Sequence, residues 1–104
     1  YDLTVTTAES CTGGLIAGRI VNVPGASEVF NEGYVTYSNK AKKKILGVSK
    51  ATLKKYGAVS EQTAREMAAG GVFTTDADAC IARTGRRNRG ETGGTRLYRM
   101  LYEG

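Results

Sequence analysis

Thr4-Val5-Thr6-Thr7-Ala8-Glu9-Ser10-Cys11-Thr12-Gly13-Gly14-Leu15 is the stretch on which the fold turns. Leu3 to Thr7 is β-branched and partly alternating, which predicts a strand. Thr12-Gly13-Gly14 punctuates it. Leu15, Ile16, Arg19, Ile20 and Val23 then follow helical spacing, with Pro24-Gly25 as the stop. Strand, glycine-rich turn and helix open an α/β unit. Ser10 falls where the strand gives way to the helix, close to N–H groups and a dipole end that favour negative charge. Gly13 and Gly14 would let backbone amides approach a bound group closely. The same features suit an oxyanion hole or a phosphate cradle, and on the residues alone a plain N-cap by Ser10 or Thr12 is the simpler reading.

Working outward, Ala26 to Phe30 reads as a short helical or irregular link, and Gly33 to Tyr37 as a second strand. Asn39 can cap a helix through Leu46 that ends at Gly47, and Ser49 another through Tyr56 that ends at Gly57. Ser60 caps a third, with Glu61 in its first turn and Ala64, Met67, Ala68 and Val72 on its apolar face. Asp78 to Ala82 reads as a third strand. From Arg86 to Thr95 there is no apolar period, which predicts loop or disorder. Leu97, Tyr98, Met100, Leu101 and Tyr102 can form a short last element.

The chain of 104 residues fits one domain with a modest core. Tyr1-Asp2 opens directly into a strand-like segment, so the start reads as the middle of a longer protein. No signal peptide is visible, and no apolar run nears the roughly 18–20 residues of a membrane span, so a cytoplasmic protein is expected. Cys11 and Cys80 form no Cys-x-x-Cys pair and His is absent, which argues against zinc and for two buried free thiols. Residues 1–82 carry nine Lys/Arg against eight Asp/Glu, and residues 83–104 six Arg against two Glu. The basic excess belongs to the tail, so a nucleic-acid partner would rest on that segment alone and is disfavoured.

Without His, a serine nucleophile needs another base, and Lys is the usual substitute. Lys40, Lys42, Lys43 and Lys44 follow the second strand. Lys40, Lys43 and Lys44 read as a solvated helix face. Lys42 can turn inward, and burial or neighbouring positive charge would lower its pKa toward neutrality. Tyr37 can orient a substrate, relay a proton or simply serve as a rim aromatic. Glu9 reads as a hydrogen bonder behind the site.

The opening stretch resembles the signature of the CinA C-terminal domain family. Val23-Pro24-Gly25-Ala26-Ser27, Gly33 to Lys42, Leu46-Gly47-Val48 and Tyr56 to Glu61 resemble its later motifs in the same order, over residues 1 to about 85. The resemblance implies an α/β fold, a three-layer α/β/α sandwich with a mixed sheet, incomplete in this chain. It implies nicotinamide-nucleotide amidohydrolase activity: water converts the carboxamide of nicotinamide mononucleotide to the acid and releases ammonia. Ser10 would be the nucleophile, Lys42 its base and Tyr37 a member of the site. Backbone amides near Gly13 and Gly14 would hold the oxyanion. Glu9, Thr12, Gly13, Gly14, Asn39 and Thr84 would contact substrate. The expected partner is a small-molecule nucleotide, with no metal, cofactor or membrane, and with homo-oligomers allowed. The alternative is an inactive remnant that binds nucleotides or acts as an interaction module.

After Thr84-Gly85 the family pattern continues Ile-Ala-Gly-Pro, then a Gly-Gly-Thr loop and Lys-Pro-Val-Gly before an apolar strand. This chain reads Arg86-Arg87-Asn88-Arg89-Gly90-Glu91-Thr92-Gly93-Gly94-Thr95. Codons for Arg86 to Leu101, read one base later, can encode Gly-Gly-Thr-Ala-Glu-Lys-Pro-Val-Gly and an apolar continuation. Residues 86–104 are therefore expected to be an aberrant, frameshifted tail on a truncated single domain spanning 1–104. Such a tail would leave the adjoining strand with an exposed edge.

Overall fold

The computed structural model describes residues 3–87 and 95–103. Its elements run β1 (Val5–Glu9), α1 (Leu15–Val21), a 3-10 turn (Ala26–Glu28), β2 (Tyr34–Val35), α2 (Asn39–Leu46), α3 (Lys50–Tyr56), α4 (Glu61–Thr75), β3 (Ala79–Arg87) and β4 (Thr95–Glu103). The sheet order is β2-β1-β3-β4. β1 pairs in parallel with β2 and β3, and β4 runs antiparallel to β3, so the sheet is mixed as expected.

Side chains of a strand alternate between faces, and β1 shows which helix owns which face. Ala8 packs with Met67 and Ala68 of α4, and Thr6 faces Gly71 of the same helix. Thr7 and Glu9 therefore point the other way, and the Glu9 carboxylate reaches α1. Helices on both faces make three layers. The core between sheet and α4 is built from small side chains: Ala8, Ala68, Cys80 and Ala82, with Leu46, Val48 and Met67 filling the larger spaces. Close packing of that kind needs close backbones. A side chain at Gly70 would strike the Leu46 carbonyl of α2, and one at Gly71 would meet Cys80 of β3. The two glycines thus let α4 hold α2 and the sheet at short range.

Five expectations change. Asn39 does not cap α2; the cap is Ser38, whose Oγ accepts from Ala41 N–H at 3.0 Å, and Asn39 is the first helical residue. A hydroxyl one residue earlier has the extended backbone a cap requires. The second strand keeps only Tyr34–Val35, because its neighbours Thr36 and Tyr37 turn toward α2. The third strand runs longer, to Arg87. Arg86, Arg87 and Thr95, expected in a loop, are strand residues, while 88–94 lie outside the described residues. The register Arg86↔Arg96 and Arg87↔Thr95 gives the reason: ladder hydrogen bonds are made by backbone and need no apolar period. The same pairing covers the outer edge of β3 from Ala79 to Arg87, so that edge is not exposed.

Candidate active site

The carboxyl ends of β1 and β2 lie side by side. The chain leaves β1 for α1 on one face and β2 for α2 on the other. In open α/β sheets, ligands bind where strand connections diverge in this way. Ser10 is the first residue beyond β1, and Lys42 lies one turn into α2.

Ser10 is held by the backbone on both sides. Its N–H donates to Arg83 O at 3.0 Å, extending the β1–β3 ladder, and its carbonyl accepts from Gly13 N–H at 3.2 Å. The resulting turn ends in Gly13 (φ 58°) and Gly14 (φ 98°), backbone conformations that cost glycine little. Thr36 N–H donates to Glu9 O at 2.8 Å, tying the segment after β2 to the end of β1.

Neither Ser10 nor Thr12 caps α1. The helix has no side-chain cap at its N-cap residue, Gly14. Glu9, wholly buried, does the work from within the strand. One carboxylate oxygen accepts from Gly14 N–H at 3.1 Å and Ile16 N–H at 2.9 Å, and the other from Ala17 N–H at 3.0 Å. A buried carboxylate is tolerable there because three donors and the positive helix end compensate it. The Gly13 and Gly14 amides are already committed, to Ser10 O and Glu9 respectively.

Lys42 is 1% exposed. It shares the inward face of α2 with Leu46, four residues on, while Lys40, Lys43 and Lys44 are exposed as expected. Its Nζ lies 2.9 Å from Ser10 Oγ and donates to Thr36 O at 2.8 Å and Tyr37 O at 3.0 Å. Among the described residues the one ion pair is Arg65–Glu61 on α4, so no carboxylate balances this lysine. Burial pushes its pKa below the ordinary lysine value, and nearby Cys11 opposes the shift. Nζ thus donates to three oxygens, the Ser10 hydroxyl and the two carbonyls. The contact sets an amine with a lowered pKa beside a serine hydroxyl.

The other expected site residues divide. Tyr37 contributes its carbonyl to Lys42, while its side chain is 76% exposed. Asn39 is exposed at the start of α2. Thr12 Oγ1 is buried without a hydrogen-bond partner. The Thr84 hydroxyl donates to Ala58 O at 2.7 Å, fastening the loop before α4 to β3. The Glu9 carboxylate is spent on α1 and faces no opening. Cys11 and Cys80 are both free, but Cys11 is only half-buried. Sequence reasoning missed the carbonyls of Thr36 and Tyr37, which carry no side-chain signature. It read Glu9 as a hydrogen bonder behind the site without identifying its partners, the amides that start α1.

The family described as the CinA C-terminal domain matches residues 1–97. A CinA-like protein from Chloroherpeton thalassium is 56% identical over 95 residues, covering 91% of this chain and 22% of its own length. The chain thus spans about a fifth of the curated relatives it matches. Two crystal structures superpose with a TM-score of 0.84. One is a competence-damaged protein (CinA) superfamily protein from Escherichia coli, 37% identical, matched over 98% of this chain and 67% of that one. The other is a competence/damage inducible protein from Agrobacterium tumefaciens, 40% identical, matched over 98% and 70%. The family match continues past Gly85, where the recognisable motifs stop, and takes in the first residues of β4. On sequence and fold together, the chain belongs to the CinA C-terminal domain family.

Proposed function

We propose that the chain carries the catalytic core of a serine-type amidohydrolase, with the carboxamide of nicotinamide mononucleotide as its substrate. The observation that carries this reading is the buried contact between Ser10 Oγ and Lys42 Nζ, with two carbonyls and no counter-ion around the amine. A structural lysine gains nothing from such a place, because burying a charge without a partner is costly. A base gains a lowered pKa and a fixed aim.

Lys42 takes the Ser10 hydroxyl proton as Oγ bonds to the amide carbon. The carbonyl π pair moves onto oxygen. When that pair returns, the carbon–nitrogen bond breaks, and nitrogen leaves as ammonia with the proton from Lys42. Water, deprotonated by the same amine, attacks the acyl-enzyme and releases the acid and free Ser10. The reading needs no metal. Its partner is the nucleotide itself.

Ammonia release from nicotinamide mononucleotide tests it. Turnover is expected, and Ser10→Ala and Lys42→Ala should each abolish it. A well-folded protein that releases no ammonia but binds the nucleotide near the Ser10 turn would support the alternative, a binding module of the same ancestry.

A further inference from the structure

Backbone N–H groups need acceptors, so the turn after β1 can be accounted for donor by donor. Ser10 N–H is used by Arg83 O, Gly13 N–H by Ser10 O, and Leu15 N–H by Thr12 O at 3.1 Å. Gly14, Ile16 and Ala17 are used by the Glu9 carboxylate. Two remain. Among the described residues, the N–H groups of Cys11 and Thr12 have no acceptor. They are the two central residues of the turn that Gly13 N–H closes onto Ser10 O, and they follow the nucleophile directly. Thr12 Oγ1, buried without a partner, belongs to the same turn.

We propose that the Cys11 and Thr12 N–H groups form the oxyanion hole of Ser10. The inference rests on the amidohydrolase reading above. When Ser10 Oγ bonds the amide carbon, negative charge collects on the former carbonyl oxygen while the proton moves to Lys42. Donors that are already fixed stabilise that charge without rearranging. The N–H of the residue after a nucleophile on a strand-to-helix turn is well placed for this, since the peptide is covalently tied to the attacking residue. The α1 amides cannot serve, because reaching them would require displacing the Glu9 carboxylate.

Cys11→Pro deletes one of the two donors. Proline suits the second position of such a turn, so the variant should fold. Cys11→Ala alters the same side chain but keeps the N–H, and is the proper comparison. Ammonia release from nicotinamide mononucleotide should show kcat for Cys11→Pro about 10²–10³-fold below that for Cys11→Ala, with KM little changed. An amide-to-ester replacement at Thr12 deletes the second donor without touching a side chain. It should give a loss of similar order, and it carries the test if Cys11→Pro does not fold. Equal kcat for Cys11→Pro and Cys11→Ala, or a Thr12 ester as active as the unaltered chain, overturns the proposal. p-Nitrophenyl acetate gives a second readout, the burst of nitrophenolate as Ser10 is acylated. If the unaltered chain gives neither ammonia nor a burst, the amidohydrolase reading fails and the oxyanion hole falls with it. If it gives both while the donor-deleted forms match their comparisons, only the oxyanion hole is wrong.

Discussion

Gly70→Ala puts the contact between α4 and α2 to the test. A Cβ at Gly70 would lie 2.7 Å from the Leu46 carbonyl carbon and 3.0 Å from its Cα, with the carbonyl oxygen nearer still. Carbon atoms rest at about 3.5–4.0 Å, so α2 and α4 must part by about 1 Å. The obstacle is backbone, which cannot rotate aside. Two effects then compete. Alanine in a helix interior is worth about 0.5–1 kcal/mol over glycine. Overpacking of this kind costs about 1–3 kcal/mol, so the clash should prevail. Gly18 supplies the comparison, because a Cβ there meets nothing within 4 Å and only the favourable effect operates. Denaturant titration of both variants should place Gly18→Ala above the unaltered chain and Gly70→Ala below it. Thermal midpoints should separate by several degrees, at about 4–8 °C per kcal/mol for a domain of this size. Lys42 sits one turn before Leu46, so the shift should also disturb the 2.9 Å Lys42–Ser10 contact. A misplacement of about 1 Å can cost about 10²-fold in rate, so ammonia release by Gly70→Ala should fall steeply. A Gly70→Ala chain as stable as Gly18→Ala would refute the packing account. One that is destabilised yet fully active would refute the link from packing to chemistry.

The remaining predictions concern buried ionisable groups. Lys42 has a lowered pKa when folded and its ordinary value of about 10.5 when unfolded, so between those values the unfolded chain binds the extra proton. Stability of the unaltered chain should therefore rise with pH through that window and level off above it, while Lys42→Met should lack the rise; parallel profiles for the two would refute a neutral buried amine. Glu9→Gln replaces one acceptor oxygen by an NH2 group facing backbone donors, and should cost about 2–3 kcal/mol in urea titration; a neutral effect would contradict the capping role. Burial pushes the Cys80 thiol up to about 12, so a thiol reagent should label one cysteine in the folded chain and both after denaturation. Rapid labelling of both in the folded state would show that β3 opens readily.

The sequence made some of this legible and hid the rest for physical reasons. Local chemistry was readable: Ser49 and Ser60 cap α3 and α4 as their positions require, and Lys42 turns inward where its three neighbours do not. The Ser10–Lys42 pairing was legible through family resemblance, since nothing in the spacing alone places residues 32 apart within 2.9 Å. Hidden features depended on backbone or on distance. Glu9 is five to eight residues from the amides it binds, beyond the reach of a capping rule. The carbonyls of Thr36 and Tyr37 exist at every residue and become meaningful only when a lysine is aimed at them. Arg86 and Arg87 join β3 because β4 pairs with their backbone, a contact invisible to hydropathy.

The Glu9 cap also bears on how the molecule breathes. α1 has seven residues and none of them is buried, whereas isolated helices shorter than about 12–15 residues are marginal in water. Its persistence depends on the strand end that grips it. Opening the first turn would leave a carboxylate stranded beside the sheet, while opening the last turn at Val21 strands nothing comparable. Unzipping should therefore begin at the far end, and amide hydrogen exchange should be slower at Ile16 and Ala17 than at Ile20 and Val21. The helix can fray and close on its own timescale while the Ser10 turn stays shut, which insulates Ser10 from the motion of the element beside it.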